Sequence, residues 1–150
     1  MSYQQTNITV SLVSHLLIVS YYLVRVFQMH QEGGLVSNKL FTLWAIVIVA
    51  AIFVTIIGTI LTNIVLSIVH AIKTQSDKPA RLVEDERDKL IGLKGTRASY
   101  ITFSIGVLIA MLSFVFGQPA LVMFSLLIFS SLIAEIVGDI FQLYFYGRGS

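Results

Sequence analysis

Four long apolar runs limit the folds that are open to this chain. They cover residues 8–29, 40–72, 100–116 and 120–146. A helix crosses the hydrocarbon core of a bilayer with about 20 apolar residues, and in lipid an isolated run must be helical to satisfy its backbone polar groups. We therefore predict an all-α integral membrane protein, a four-helix bundle built from two helical hairpins.

Composition excludes several other classes of protein. Hydrophobic residues make up 56% of the chain and charged residues only 12%, whereas a soluble domain carries about 25% charged residues. A soluble globular enzyme is therefore excluded. The chain has 0 Cys, which removes thiolate metal sites and a disulfide scaffold. The sequence requires no cofactor, because it contains no nucleotide-binding, zinc-protease or serine-hydrolase motif.

The connections between the runs carry residues typical of turns. Gly33 and Gly34 separate the first two runs, and Gly117 precedes Pro119 between the last two. Proline is favourable in the first turn of a helix, so Pro119 predicts the start of the fourth helix. A charged loop, residues 73–99, joins the hairpins. We expect one transmembrane domain over residues 1–150.

Lysine and arginine predict the orientation in the membrane. Seven of them lie in the charged loop: Lys73, Lys78, Arg81, Arg87, Lys89, Lys94 and Arg97. The positive-inside rule puts this loop and both termini in the cytoplasm. The predicted surroundings are a lipid bilayer. A nucleic-acid partner is not expected, because no basic face is interleaved with aromatic residues.

The fourth run carries a polar face inside the membrane. Glu135 and Asp139 lie one helical turn apart, with Ser131 and Gln142 on the same face. A charged side chain at the bilayer centre costs about 2.5–3.5 kcal/mol on insertion scales. The face must therefore look into the bundle, into a cavity or onto another chain.

Two other runs place polar residues at a similar predicted depth, counted at 1.5 Å per residue. We predict an ion- or proton-binding site in the inner leaflet formed by His15, Asn63, Glu135 and Asp139. The supporting polar residues are Ser11, Thr59, Ser131 and Gln142. A metal ion, if one binds, would use His15, Glu135 and Asp139. Two alternatives stay open: the polar groups lock helix packing, or they face a second copy in a homo-oligomer, with a dimer favoured. No catalytic residue is assigned.

The charged loop is predicted to contain a short amphipathic cytoplasmic helix between the second and third spanning helices. Pro79 suits its first turn, and Val83 and Leu90 supply a thin apolar stripe. Gly92 and Gly95 are expected to end it before the third span.

One part of this loop resembles a known motif. Asp85-Glu86-Arg87-Asp88, followed by Ile91 and Lys94 and then an apolar span, resembles a motif of small, uncharacterised families of prokaryotic membrane proteins. Those families have about four spans and the same D-E-R-D loop before the third, and they have no established activity. The resemblance implies a prokaryotic protein of the inner or plasma membrane, in which the charged loop has a role of its own. The candidate residues for docking a cytoplasmic protein partner, or for an intramolecular latch, are Asp85, Glu86, Arg87 and Asp88.

Three functional hypotheses follow. The first is conduction or transport of a proton, cation or small solute through the inner-leaflet site. The second is a non-catalytic membrane adaptor or regulator that binds a partner through residues 76–97. The third is a small intramembrane enzyme that depends on a metal or on the two carboxylates. The first is the leading hypothesis, and a non-enzymatic role is preferred.

Overall fold

The computed structural model describes residues 3–74 and 86–148, and these ranges form four long helices. They are α1 (Tyr3–Gln31), α2 (Ser37–Thr74), α3 (Glu86–Val115) and α4 (Ala120–Gly147). Each contains a stretch that is long and apolar enough to cross a membrane. The predicted all-α four-helix bundle is confirmed.

The central helix of the bundle is α4. It packs most extensively against α3 and then against α1, while α2 packs mainly on α1 and touches α4 over a small area. The helices of each hairpin are antiparallel, and so are α1 and α4. We call the end where α1 and α3 begin and α4 ends the terminal end. The opposite end, with connections 32–36 and 116–119, is the hairpin end.

The exposed apolar surface of the helices suits a lipid environment. In the most apolar stretch of each spanning helix, no more than 22% of the residues are buried inside the protein. Water-exposed apolar surface on this scale is not found on soluble monomers. The chain is therefore a small polytopic membrane protein.

An apolar core lies between α1, α2 and α4. Tyr22 is its most buried aromatic residue, at 1% exposure, and its hydroxyl donates a hydrogen bond of 2.8 Å to the Ser125 carbonyl oxygen. Ile18 and Val19 of α1 and Leu132 of α4 are buried in the same core. This core fixes α1 against α4 and thereby sets which polar residues of the two helices meet.

Glycines allow the close approach of α3 and α4. A Cβ atom at Gly138 would overlap the Ser99 hydroxyl and would lie 3.3 Å from the Gly95 carbonyl oxygen. A Cβ atom at Gly106 would overlap Ser130. Small residues at such positions let helix backbones pack closely in membranes.

The α1–α2 turn uses two glycines and an ion pair. Gly33 and Gly34 have φ angles of 115° and 107°, a backbone region that favours glycine. Across the turn, Lys39 Nζ donates to Glu32 Oε2 at 2.8 Å. This contact lowers the pKa of the Glu32 carboxyl below its ordinary value.

The expectation that Gly92 and Gly95 end a helix is wrong. α3 begins at Glu86 and continues through both glycines. Gly95 is buried and packs against the Gln142 side chain of α4, so tertiary packing offsets the weak helix propensity of glycine. Residues 86–99 belong to α3 itself, so the predicted separate amphipathic helix is not present in the described part of the loop. Its earlier part, residues 75–85, lies outside the described residues.

Candidate functional site

α1 and α4 bring His15 and Asp139 into direct contact. His15 Nδ1 lies 2.8 Å from Asp139 Oδ2, and the two side chains are only 11% and 10% exposed. We call these residues the buried pair. A hydrogen bond of this length between an imidazole and a carboxylate is charge-assisted when the ring nitrogen carries the proton.

Ser11 completes the hydrogen bonding of the buried pair. It precedes His15 by one helical turn, so both side chains lie on the face of α1 that meets α4. Its hydroxyl donates to Asp139 Oδ2 at 3.0 Å and lies 3.4 Å from His15 Nδ1. A buried carboxylate is costly unless it is paired and hydrogen-bonded. Here Ser11 and His15 both contact Asp139 Oδ2 at hydrogen-bond distance.

The buried pair can bind and release a proton. Imidazole is the side chain whose charge ordinarily changes between pH 5 and pH 8. A carboxylate at hydrogen-bond distance shares that proton, so the charge of the pair changes by one unit when a proton arrives or leaves. An amide or a hydroxyl alone does not offer this chemistry.

A cleft of about 220 Å³ between α1, α2 and α4 reaches Asp139. We call it the α1–α2 cleft. Its polar lining comprises Asn7, Ser11, Ser14, Thr55, Asp139 and Gln142, and its apolar lining includes Ile8, Val10 and Val54. A water molecule takes about 30 Å³ of liquid volume, so the cleft has room for a hydrated ion or a small organic solute.

Glu135 lies apart from the buried pair. It is exposed and lines a second cleft of about 300 Å³, together with Ser131, Ser99 and Tyr100. We call this the α3–α4 cleft. The Ser131 hydroxyl donates to the Ile128 carbonyl oxygen of its own helix at 2.8 Å. Of the predicted acidic pair, only Asp139 therefore contacts His15.

The remaining predicted site residues fall into two groups. Gln142 lines the α1–α2 cleft beside Asp139. The side chains of Asn63 and Thr59, on α2, lie outside the described residues. Among the residues that the structure describes, no three His, Asp or Glu side chains are grouped closely enough to hold a metal ion. The metal set His15, Glu135 and Asp139 is thus not assembled there.

Sequence reasoning missed Asn7, Ser14 and Thr55 as cleft residues. The signal for Asn7 was present, because Asn7, Ser11 and His15 recur every four residues along α1. The Asn7 side-chain oxygen is buried and has no hydrogen-bond partner among the described residues. Within the described part of the chain, no donor meets this acceptor.

The residues of the D-E-R-D segment differ in their surroundings. Asp85 lies outside the described residues, while Glu86 and Arg87 are exposed at the start of α3. Asp88 Oδ1 accepts a hydrogen bond of 2.7 Å from the Tyr146 hydroxyl of α4. Lys94 Nζ lies 4.3 Å from the centre of the Phe145 ring. These contacts join the first turns of α3 to the last turn of α4.

Replacing Tyr146 with Phe tests this junction. We expect Tyr146→Phe to lower the free energy of unfolding by about 0.5–1.5 kcal/mol, because Asp88 loses a hydrogen bond. Thermal unfolding in detergent measures the change. Tyr144→Phe is the matched control, since its hydroxyl makes no hydrogen bond with the described residues. Equal stability of the two variants would contradict a role for the Tyr146–Asp88 contact.

Comparison with known proteins adds no family to this description. The chain matches no protein-family model, no curated protein and no solved structure. The class of protein therefore rests on the four spanning helices, and its function must be argued from the buried pair and the two clefts.

Proposed function

We propose that this protein moves a proton or a small cation across the membrane by way of the buried pair. The observation that carries the proposal is the contact between His15 and Asp139 inside an apolar bundle, beside a polar cleft. Ionisable residues within spanning helices are rare, and they commonly mark ion pathways and proton relays. Packing alone does not need a titratable pair, because serine or asparagine would join the helices at a lower desolvation cost.

The two sides of the buried pair differ, which favours a transporter over an open pore. Asn7 and Gln142 extend the α1–α2 cleft from the pair toward the terminal end. On the hairpin side, Ile18, Leu132 and Ile136 fill the space between α1 and α4. A site with a polar cleft on one side and apolar packing on the other suits one state of an alternating-access transporter.

Orientation and assembly belong to the same proposal. The basic residues near the terminal end support a cytoplasmic location for that end, and the resemblance of the D-E-R-D segment supports a prokaryotic plasma membrane. Glu135 supports a homodimer, because an exposed carboxyl group on a spanning helix is costly to leave in lipid. A second copy that covers the α3–α4 cleft would remove Glu135 and Ser131 from the lipid.

Flux through reconstituted vesicles tests the proposal. Purified protein is placed in liposomes that contain a pH-sensitive dye, and a potassium diffusion potential drives the flux. We expect acidification faster than in protein-free vesicles, because the buried pair can take up a proton and release it. Rates equal to those of protein-free vesicles for protons, sodium and potassium alike would overturn the proposal.

The adaptor hypothesis is supported by a different observation. Leu90 and Leu93 are 59% and 66% exposed near the start of α3, close to the exposed Arg87. Exposed leucines among charges suit a docking surface for a protein partner. In this alternative, Arg87→Glu releases a partner that co-purifies from native membranes and leaves flux unchanged. Retention of that partner by the variant would count against it.

A further inference from the structure

Asn7 presents an acceptor that lacks a donor. Its side-chain oxygen is buried beside the α1–α2 cleft and has no hydrogen-bond partner among the described residues. Leaving a buried acceptor unsatisfied costs free energy, and native structures contain few such groups. Asn7 lines the cleft, and a half-turn of its amide about the Cβ–Cγ bond would present this acceptor to a donor from a molecule in the cleft.

Asp139 presents a second acceptor to the same cleft. The hydrogen bonds from Ser11 and His15 both go to Oδ2. Within the described residues Oδ1 accepts none, although Asp139 lines the cleft. No lysine or arginine is among the described residues that line it. When His15 gives up its proton, a carboxylate oxygen and an amide oxygen in a cleft whose described lining has no lysine or arginine favour a ligand that is both positively charged and a hydrogen-bond donor.

The size of the cleft and its apolar wall limit the class of ligand further. A bare metal ion needs oxygen ligands on every side at about 2.0–2.6 Å, whereas this cleft holds about 220 Å³ and is partly walled by Ile8, Val10 and Val54. The apolar wall suits a short hydrocarbon chain. The two acceptors suit a group with several N–H bonds.

We propose that the α1–α2 cleft binds a small primary ammonium ion with a short apolar chain. The ammonium group donates to Asn7 Oδ1 and to Asp139 Oδ1, and the chain lies against Val10 and Val54. This inference rests on the proposed function and names the class of solute that shares the site with the proton. A bound cation favours the ionised form of Asp139, so the amine and the proton compete for the buried pair, as exchange of one for the other requires.

Two isomeric cations test the inference on the unmodified protein. n-Butylammonium and tetramethylammonium have the same composition and the same charge, but tetramethylammonium has no N–H bond to donate. Binding to the full chain in lipid nanodiscs is measured by titration calorimetry. We expect n-butylammonium to bind at least about tenfold more tightly, since a hydrogen bond to a charged group contributes this much or more. Equal affinity for the two isomers would overturn the inference.

Asn7→Leu separates a ligand role from a structural one. The variant should weaken n-butylammonium binding by about tenfold. Thermal stability without the amine should not fall, because the change removes an unsatisfied acceptor. Asn38→Leu, the same change at the exposed start of α2, should leave binding unchanged. Unaltered amine affinity in Asn7→Leu, or a loss of stability in the amine-free protein, would contradict the assignment.

The two proposals fail in different ways. If vesicles with the protein pass protons but the protein binds the two isomers equally, the amine site is refuted and the proposed function is retained. A protein that prefers n-butylammonium but gives no flux of protons or cations would keep the binding site and refute transport.

Discussion

Asp139→Asn is expected to reduce proton flux in reconstituted vesicles to the level of protein-free vesicles. The amide has nearly the same shape as the carboxyl group and can still accept a hydrogen bond from Ser11, whose hydroxyl lies 3.0 Å from Oδ2 in the unmodified protein. It cannot take up or release a proton, and it no longer shares one with His15. The loss is therefore expected in transport and not in assembly of the helices.

Two measurements accompany this variant. Glu32→Gln makes the equivalent chemical change at an exposed carboxyl group in the α1–α2 turn and should retain the flux. Thermal unfolding of Asp139→Asn should remain cooperative, which shows that the bundle still forms. Unaltered flux in a folded Asp139→Asn protein would remove the buried pair from any pathway.

Glu135→Gln is expected to reduce flux less than Asp139→Asn does. Glu135 lines the α3–α4 cleft and makes no hydrogen bond to His15, so it influences the pair only through its charge. Initial rates of vesicle acidification for the two variants, each at the same protein-to-lipid ratio, provide the comparison. A larger loss in Glu135→Gln would place the pathway in the α3–α4 cleft instead.

The helices were largely predictable, and their interfaces were not. Length and apolarity alone predict four spanning helices, because lipid leaves an isolated apolar run no other way to satisfy its backbone. The start of α3 was missed because Gly92 and Gly95 weaken a helix in isolation. Burial of Gly95 against Gln142 depends on α4, a partner that local propensity does not include.

The candidate site was predictable in depth but not in its contacts. Counting the rise per residue puts His15 and Asp139 at one level, and the structure places them in contact. Glu135 was grouped with them because it shares a face of α4 with Asp139. A face of one helix is wide enough for two neighbours, so Asp139 meets α1 while Glu135 lines a cleft with α3. Which neighbour covers which edge depends on tertiary packing.

Gly138→Val should destabilise the bundle by about 1–3 kcal/mol, the usual cost of forcing extra atoms into a packed interface. The Cβ atom alone would overlap the Ser99 hydroxyl and approach the Gly95 carbonyl oxygen to 3.3 Å. The Ser99 hydroxyl can rotate, but the backbone oxygen can only move with α3. The two helices must therefore separate locally, which removes close packing along their shared interface. Thermal or denaturant-induced unfolding in detergent measures the loss.

Gly92→Val provides the matched control for this prediction, because a Cβ atom at Gly92 meets no atom within 4 Å. Its stability should equal that of the unmodified protein or slightly exceed it, since valine has a higher helix propensity than glycine.

Ser99→Gly removes one of the two obstacles to a side chain at position 138. The double variant of Gly138→Val and Ser99→Gly should therefore lose less stability than the sum of the two single losses. Additive losses would mean that the α3–α4 approach at Gly138 is limited by the Gly95 carbonyl oxygen and not by Ser99.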